Sequence, residues 1–322
     1  MSRKKIRVGV VGVGYLGKLH AEKYALIEDA ELVGVTDVNH ARAREIASLT
    51  GSKAFDSYAD LFGKVDAVSI VTPTESHCRI GLEFLGRGID VLVEKPIANS
   101  TKEADALIQE AAKKNAILQV GHLERFNAAY AALSGRVKRP VYLEAHRLSP
   151  FPNRSTDVDV VLDVMIHDID IVLNLAGSEV ESVEAAGTPV VSNKVDIANA
   201  RLRFKNGCVA SLTGSRVARS RVRKLEITER DACYTVDFMN QQLFISKLVP
   251  GKDGAIGTLA DEEIVITKRD SILEELKSFV SSSAERKAPY VSGTDGRSAL
   301  AVAERIQNAI ASSIAGLKNE PA

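Results

Sequence analysis

Hydrophobic and polar positions change their period near Gly121. Before it, short apolar runs at 6–11, 31–36, 66–71, 90–94 and 117–120 alternate with stretches of helical period at 16–28, 40–49, 75–86 and 101–114. Runs of this kind, separated by amphipathic helices, predict a parallel sheet covered on both faces. After Gly121, strand-like segments follow one another at 141–148, 181–186, 197–204, 208–214, 225–228, 233–238, 243–247 and 264–267, with Asn206-Gly207 as a hairpin turn. Consecutive strands joined by tight turns imply an antiparallel sheet. A helix at 157–175 interrupts them, and two more follow at 270–283 and 294–317, where Leu300, Ala303, Ile306, Ile310 and Ile314 keep helical spacing. The pattern predicts an α/β chain: a doubly wound parallel sheet over 1–122, then an α+β domain over 123–322 with a large open, mostly antiparallel sheet. The segment 251–257 reads as a mobile loop.

Candidate chemistry begins at the first strand-to-helix junction. Gly12, Gly14 and Gly17 stand in G-x-G-x-x-G spacing after the run 6–11, and Asp37 closes the next apolar run. In that context the first glycine permits the tight turn, the second lets backbone approach a pyrophosphate and the third lets helix pack close to strand. The helix opening at Tyr15-Leu16 offers unpaired N–H groups to the phosphates. Asp37 suits an unphosphorylated adenosine ribose and repels a phosphate there, so NAD is expected over NADP. The first domain therefore reads as a Rossmann NAD-binding domain.

Composition narrows the partners. The 322 residues carry 42 basic and 42 acidic side chains, so no field draws the chain to nucleic acid or membrane, and a small-molecule substrate is expected. Cys78, Cys208 and Cys233 are odd in number and far apart, which fits reduced thiols in a cytoplasmic protein. The apolar runs fall short of the roughly 20 residues of a membrane helix.

Two further groups stand out. Strand five ends in Glu94-Lys95-Pro96, and ligands of open parallel sheets bind beyond the carboxyl ends of the strands. In the helix at 157–175, Asp163 and His167 are four apart and share a face, so the carboxylate can orient the imidazole. Alternatives remain open: a helix-surface pair, or metal ligands, although no third ligand is evident and no metal is expected. His20 reads as packing against neighbours or touching phosphate; His77 and His122, just past strand ends, read as cofactor contacts or surface groups.

The ordered set Gly12-Val13-Gly14-Tyr15-Leu16-Gly17 with His20, then Glu94-Lys95-Pro96, then Asp163-x-x-x-His167-Asp168 resembles the glucose-fructose oxidoreductase, inositol dehydrogenase and MocA (Gfo/Idh/MocA) family over nearly the whole chain. The resemblance implies that Lys95 and His167 are catalytic with Asp163 as companion. It also implies that Thr72-Pro73 lies beside the cofactor and that Lys95–Pro96 can be cis. The reaction it implies is NAD-dependent oxidation of a sugar hydroxyl, with His167 as base and Lys95 donating to the developing alkoxide. Cofactor contacts are expected from Gly12, Gly14, Tyr15, Leu16, Gly17, Asp37, Thr72, Pro73, His77, Glu94, Lys95 and His122.

Substrate contacts are expected from Lys95, Arg125, Arg147, Arg154, Ser155, Asp163 and His167, the arginines because guanidinium groups recognise phosphate bidentately. Arg219, Arg221 and Arg223 alternate along a strand, as a solvated sheet edge or a second anion site. Gly121-His122-Leu123-Glu124-Arg125-Phe126-Asn127 and the Pro152-Asn153-Arg154-Ser155 stretch are similar to the branch of the family that oxidises the 3-hydroxyl of UDP-N-acetylhexosamines. The substrate this implies is UDP-N-acetylglucosamine; a free polyol such as inositol, or a non-catalytic NAD-sensing regulator, are the competing readings. The uncovered face of the antiparallel sheet and the family's habit imply a homodimer or homotetramer.

Overall fold

The computed structural model describes residues 5–151, 158–251 and 256–317. The chain forms two compact units, Met1–Leu123 with Asp270–Arg297, and Glu124–Arg269 with Ser298–Ala322.

The first unit is a six-stranded parallel sheet of β1 (Ile6–Val11), β2 (Ala30–Thr36), β3 (Lys53–Phe55), β4 (Ala67–Ile70), β5 (Asp90–Glu94) and β6 (Leu118–Gly121), in the order β3-β2-β1-β4-β5-β6. The helices are α1 (Tyr15–Tyr24), α2 (His40–Thr50), α3 (His77–Leu85) and α4 (Thr101–Lys114). β4 and β5 are buried along their whole length, as the unbroken apolar runs require. Helix ends follow local chemistry: Asn39 and Ser100 accept first-turn amides of α2 and α4, and Gly51 and Asn115 close them in the left-handed conformation. The sequence pattern does not reveal β3, a three-residue edge strand too short to show a period. Strand order reverses between β1 and β4, which is where such sheets bind ligands.

A late segment completes this unit. A helix from Ser271 to Glu285, the seventh of the chain, buries Leu276, Phe279 and Val280 in one cluster with Val8, Val10, Tyr24 and Val35. Its cap, Asp270, accepts from the Leu273 amide and lies 2.6 Å from the Lys23 ammonium of α1. The sequence-based boundary at 122/123, which gave this helix to the second domain, is therefore revised. An amphipathic pattern shows that a face is buried but not against what.

The second unit holds α5 (Ala128–Ala131), β7 (Tyr142–Leu148), a π-helical turn at Val161–Met165 running into α6 (Ile166–Ala176), and β8 (Val180–Thr188), β9 (Ile197–Phe204), β10 (Val209–Ser215), β11 (Val222–Thr228), β12 (Ala232–Asp237), β13 (Gln242–Val249) and β14 (Thr258–Ile264). The helix described above is α7, and α8 spans Gly293–Leu317. The eight strands run in the order β14-β13-β12-β11-β7-β10-β9-β8, antiparallel except for the parallel pair β7 and β10. β14 lies earlier than the predicted 264–267. It is an exposed edge strand without the alternation that marks its neighbours. Along β7, β9 and β10, alternate residues are buried, and Leu143, Ala145, Ala200, Leu202 and Leu212 pack with Ile166, Ile169 and Val172 of α6 and Ala303 and Ile306 of α8. The other face is half exposed and largely polar. The expected loop at 251–257 lies mostly outside the described residues. Among the described residues, no helix is long and apolar enough to cross a membrane.

If α7 is part of the first unit's core, Phe279→Ala, at a fully buried position, lowers stability by about 3–5 kcal/mol in urea unfolding. A loss below about 1 kcal/mol would show that α7 is dispensable to that core.

Candidate active site

The three glycines of the first junction have separable causes. Gly12 adopts φ +87°, and a Cβ there would lie 2.5 Å from the Val71 carbonyl oxygen; a Cβ on Gly17 would lie 1.9 Å from the Gly12 carbonyl oxygen. These two are demanded by the protein itself. A Cβ on Gly14 would meet nothing within 4 Å. That space is open, as a cradle for a ligand's phosphates must be. Gly14 is also the N-cap of α1, with no side chain capping it and no acid in the first turn, a helix start that favours an anion. Asp37, past the end of β2, accepts from the Val13 amide through Oδ2 and the Asn39 amide through Oδ1, both at 2.8 Å. Its carboxylate is thereby fixed just past the end of β2, the position at which such folds carry a ribose acid. These residues fit NAD.

At the ends of β4 and β5, the turns of Thr72-Pro73 and Lys95-Pro96 are joined by one imidazole. His77 Nε2 lies 2.8 Å from the Thr72 carbonyl oxygen and Nδ1 2.9 Å from that of Pro96. A neutral ring has one N–H, so it donates to one carbonyl at a time. Burial holds its pKa below the usual histidine range, opposed by the two carbonyls. His77 and His122 are both buried, so neither is a surface group, and His77 sits between the two turns. Lys95 is half-buried, its backbone amide donates to Glu94 Oε2 at 3.2 Å, and the Lys95–Pro96 peptide is cis.

In the second unit, Asp163 lies in the π-helical turn and His167 one turn later in α6, both half-buried. Single π-turns inserted in helices recur at functional sites. Asp168 and Asp170 turn to the core instead. Arg147 of β7 grips Asp168 at 2.8 Å through Nη2 and Glu124 at 2.7 Å through Nη1, while Arg125 holds Asp170 through two bonds of 2.7 and 2.9 Å. Burial opposes the Arg147 charge, but the two carboxylates outweigh it and raise its pKa. Arg125 and Arg147, expected from the sequence to bind substrate phosphate, are each paired with buried carboxylates in this structure and moor α6. The signal was present in Ile166-His167-Asp168-Ile169-Asp170-Ile171, where acids within an apolar helix require buried cations. Arg154 and Ser155 lie outside the described residues.

Arg223 stands opposite Arg147 across the β7–β11 pair, 3.6 Å from Glu124, with its side chain 54% exposed. Burial first, and then Arg147, push its pKa down, so a bound anion would relieve it. Arg219 and Arg221 are exposed. The three cysteines are free.

An open dinucleotide cradle with a ribose acid, followed by a lysine at the end of a parallel strand, defines the class as a nicotinamide-cofactor oxidoreductase. The family profile described as "Oxidoreductase family, NAD-binding Rossmann fold" matches residues 6–122, and the GFO/IDH/MocA C-terminal domain matches 128–234. The chain belongs to the GFO/IDH/MocA family. It is similar to UDP-N-acetylglucosamine 3-dehydrogenase of Acidithiobacillus ferrooxidans, 40% identical over 306 residues, or 95% of this chain and 97% of that one. The solved structure of that enzyme superposes with TM-score 0.91 over 96% of this chain and 98% of its own. Myo-inositol 2-dehydrogenase of Thermotoga maritima is 30% identical over 314 residues, 92% of this chain and 93% of its own. Levoglucosan dehydrogenase, solved with NADH and levoglucosan, shares the fold at 19% identity and TM-score 0.86, over 96% of this chain and 98% of its own.

Gly14→Ala should leave thermal stability unchanged and weaken NAD binding about tenfold in calorimetric titration, whereas Gly17→Ala should not fold. Equal stability loss in both would remove the argument that Gly14 serves a ligand. Arg147→Met strands Asp168 and Glu124 and should cost about 3–5 kcal/mol in chemical unfolding.

Proposed function

We propose that the protein oxidises the 3-hydroxyl of UDP-N-acetylglucosamine, or of a closely related UDP-sugar, to the 3-keto sugar with NAD. The observation that carries this reading is the near full-length likeness to the Acidithiobacillus enzyme of that name, in a chain that retains Lys95, Asp163 and His167. NAD, when bound, supplies the hydride acceptor. The protein's share is to hold the sugar and move one proton. His167, half-buried, takes the hydroxyl proton and passes it to solvent. Lys95 donates a hydrogen bond to the same oxygen as charge develops, and Asp163 orients the imidazole.

The diphosphate needs a cation that is not already engaged. Arg223 meets that need better than Arg125 or Arg147, because its side chain is half exposed and its contact with Glu124, at 3.6 Å, is longer than the buried contacts that hold the other two. Arg154 and Ser155 remain assigned to the same subsite on sequence grounds.

Oxidation of a free polyol is the second reading, supported by the likeness to myo-inositol 2-dehydrogenase. The half-exposed sheet face of the second unit suits a second copy of the chain, as a homodimer or homotetramer, and light scattering that gives a monomer would discard this. The free thiols support a cytoplasmic setting.

Mixing protein, NAD and sugar and following NADH absorbance separates the readings. Turnover with UDP-N-acetylglucosamine is expected; turnover with inositol alone favours the second reading, and NAD binding with no turnover favours a sensor. His167→Asn should lower kcat by about 10²-fold or more with NAD affinity unchanged. Arg223→Met should raise KM for the UDP-sugar about tenfold without affecting any polyol activity.

A further inference from the structure

Around Glu94 lies a cluster of buried groups that the proposed chemistry leaves unused. His20 of α1, Glu94 at the end of β5 and Glu275 of α7 bring an imidazole nitrogen and two carboxylate oxygens within 4.8 Å of one another. Their exposures are 0%, 8% and 1%. His20 Nε2 lies 3.3 Å from Glu94 Oε1, yet neither ring nitrogen reaches hydrogen-bond geometry, and Glu275 Oε1 is also unpartnered. The fold makes room for this arrangement: a Cβ on Gly121 of β6 would lie 2.8 Å from the Glu94 carboxyl. Gln119 of β6 adds only an uncharged amide, donating from Nε2 to the Glu275 backbone carbonyl at 3.3 Å. Tyr24 of α1, hydrogen-bonded to Ser69, feels the charge of Glu275, and His77 of α3 that of Glu94.

Two carboxylates buried this close repel one another unless a proton or a cation lies between them. Burial first, and then the charge of Glu94, push the Glu275 carboxyl well above the usual carboxylate range. An acid that keeps its proton can donate it to a neighbour, which turns a repulsive pair into a bonded one.

The position of the cluster gives it a role. Glu94 Oε2 accepts from the Lys95 amide, while Oε1 faces the helix whose N-terminus forms the dinucleotide cradle. One carboxylate thus links the cofactor helix to the lysine turn, with α7 closing the third side. We propose that His20, Glu94 and Glu275 act as one proton-sharing triad that fixes the Glu94–Lys95 turn, making His20 and Glu275 positioning residues for the reaction of Lys95. This rests on the reading that Lys95 acts on the substrate. Misplacement of a reacting group by about 1 Å can cost about 10²-fold in rate, so a loosened turn is expected to appear in kcat.

Glu275→Gln, Glu275→Ala and His20→Asn in the full chain test the triad. Because Glu275 binds its proton more tightly folded than unfolded, its contribution is full below the ordinary glutamate range and is lost as pH rises toward the raised value. Glutamine mimics the protonated acid and cannot ionise. Relative to the parent, the Tm of Glu275→Gln should therefore climb as pH goes from about 5 to 9. Its kcat should stay within about twofold of the parent, while Glu275→Ala and His20→Asn lower kcat about tenfold with KM for NAD little changed. A Tm gap that is flat or shrinks with rising pH overturns the triad, as does a glutamine variant as impaired as the alanine one. One equivalent of divalent metal in the purified protein also overturns it, since the three donor atoms could share an ion. Absence of turnover with every sugar would count against the proposed function, while the Tm gap, which needs no substrate, would still decide proton sharing.

Discussion

A charge removed from water must find an opposite charge, a proton or a set of amides, and this requirement fixes the parts of the molecule that carry chemistry. In the second unit it holds the helix bearing Asp163 and His167: Asp168 and Asp170, on that helix, are each met by a buried arginine from β7 or the segment before α5. The same rule operates at Arg216, fully buried, which donates to Asp196 and to the Val158 carbonyl, both at 2.8 Å. Burial opposes the Asp196 charge, but the amides of Val190 and Ser192, together with Arg216, hold its pKa well below the usual range. Such pairs are weak evidence for stability and better evidence for a specified arrangement. Here they set the register between α6 and β7.

In the first unit, steric demands do what charges do in the second. The Gly12 carbonyl leaves no room for a side chain at Gly17, so α1 is pressed against the strand end with its N-terminus at the glycine turn. Asp37, held by two amides, adds the only charge needed there. His77 then lies between the turns after β4 and β5, with a ring nitrogen within 2.9 Å of a backbone carbonyl of each.

How much of this the sequence discloses depends on the range of the cause. The glycine junction, Asp37 and the strand-ending lysine were legible because their constraints act within a few residues. Most strands were legible as well, since a face buried by helices imposes alternation; β3 was too short and β14 too exposed to show it. The carboxylate partners of Arg125 and Arg147 were not legible, because an arginine looks the same whether its partner is a ligand or an aspartate far along the chain. Glu275 escaped notice because its significance depends on His20 and Glu94, which are far from it in sequence. Its place on the buried side of α7, beside Leu276 and Phe279, was the available sign.

The first unit is assembled from two stretches that are far apart in the chain. During synthesis β1, β2 and α1 leave the ribosome long before α7, and residues 124–269 of the second unit are made in between. The apolar surface around Val8, Tyr24 and Ile27 therefore waits uncovered until Leu276, Phe279 and Val280 arrive. The first unit is finished only after most of the second has been made, although its strands are the first to leave the ribosome, and a fragment ending after β6 would lack part of its own interior.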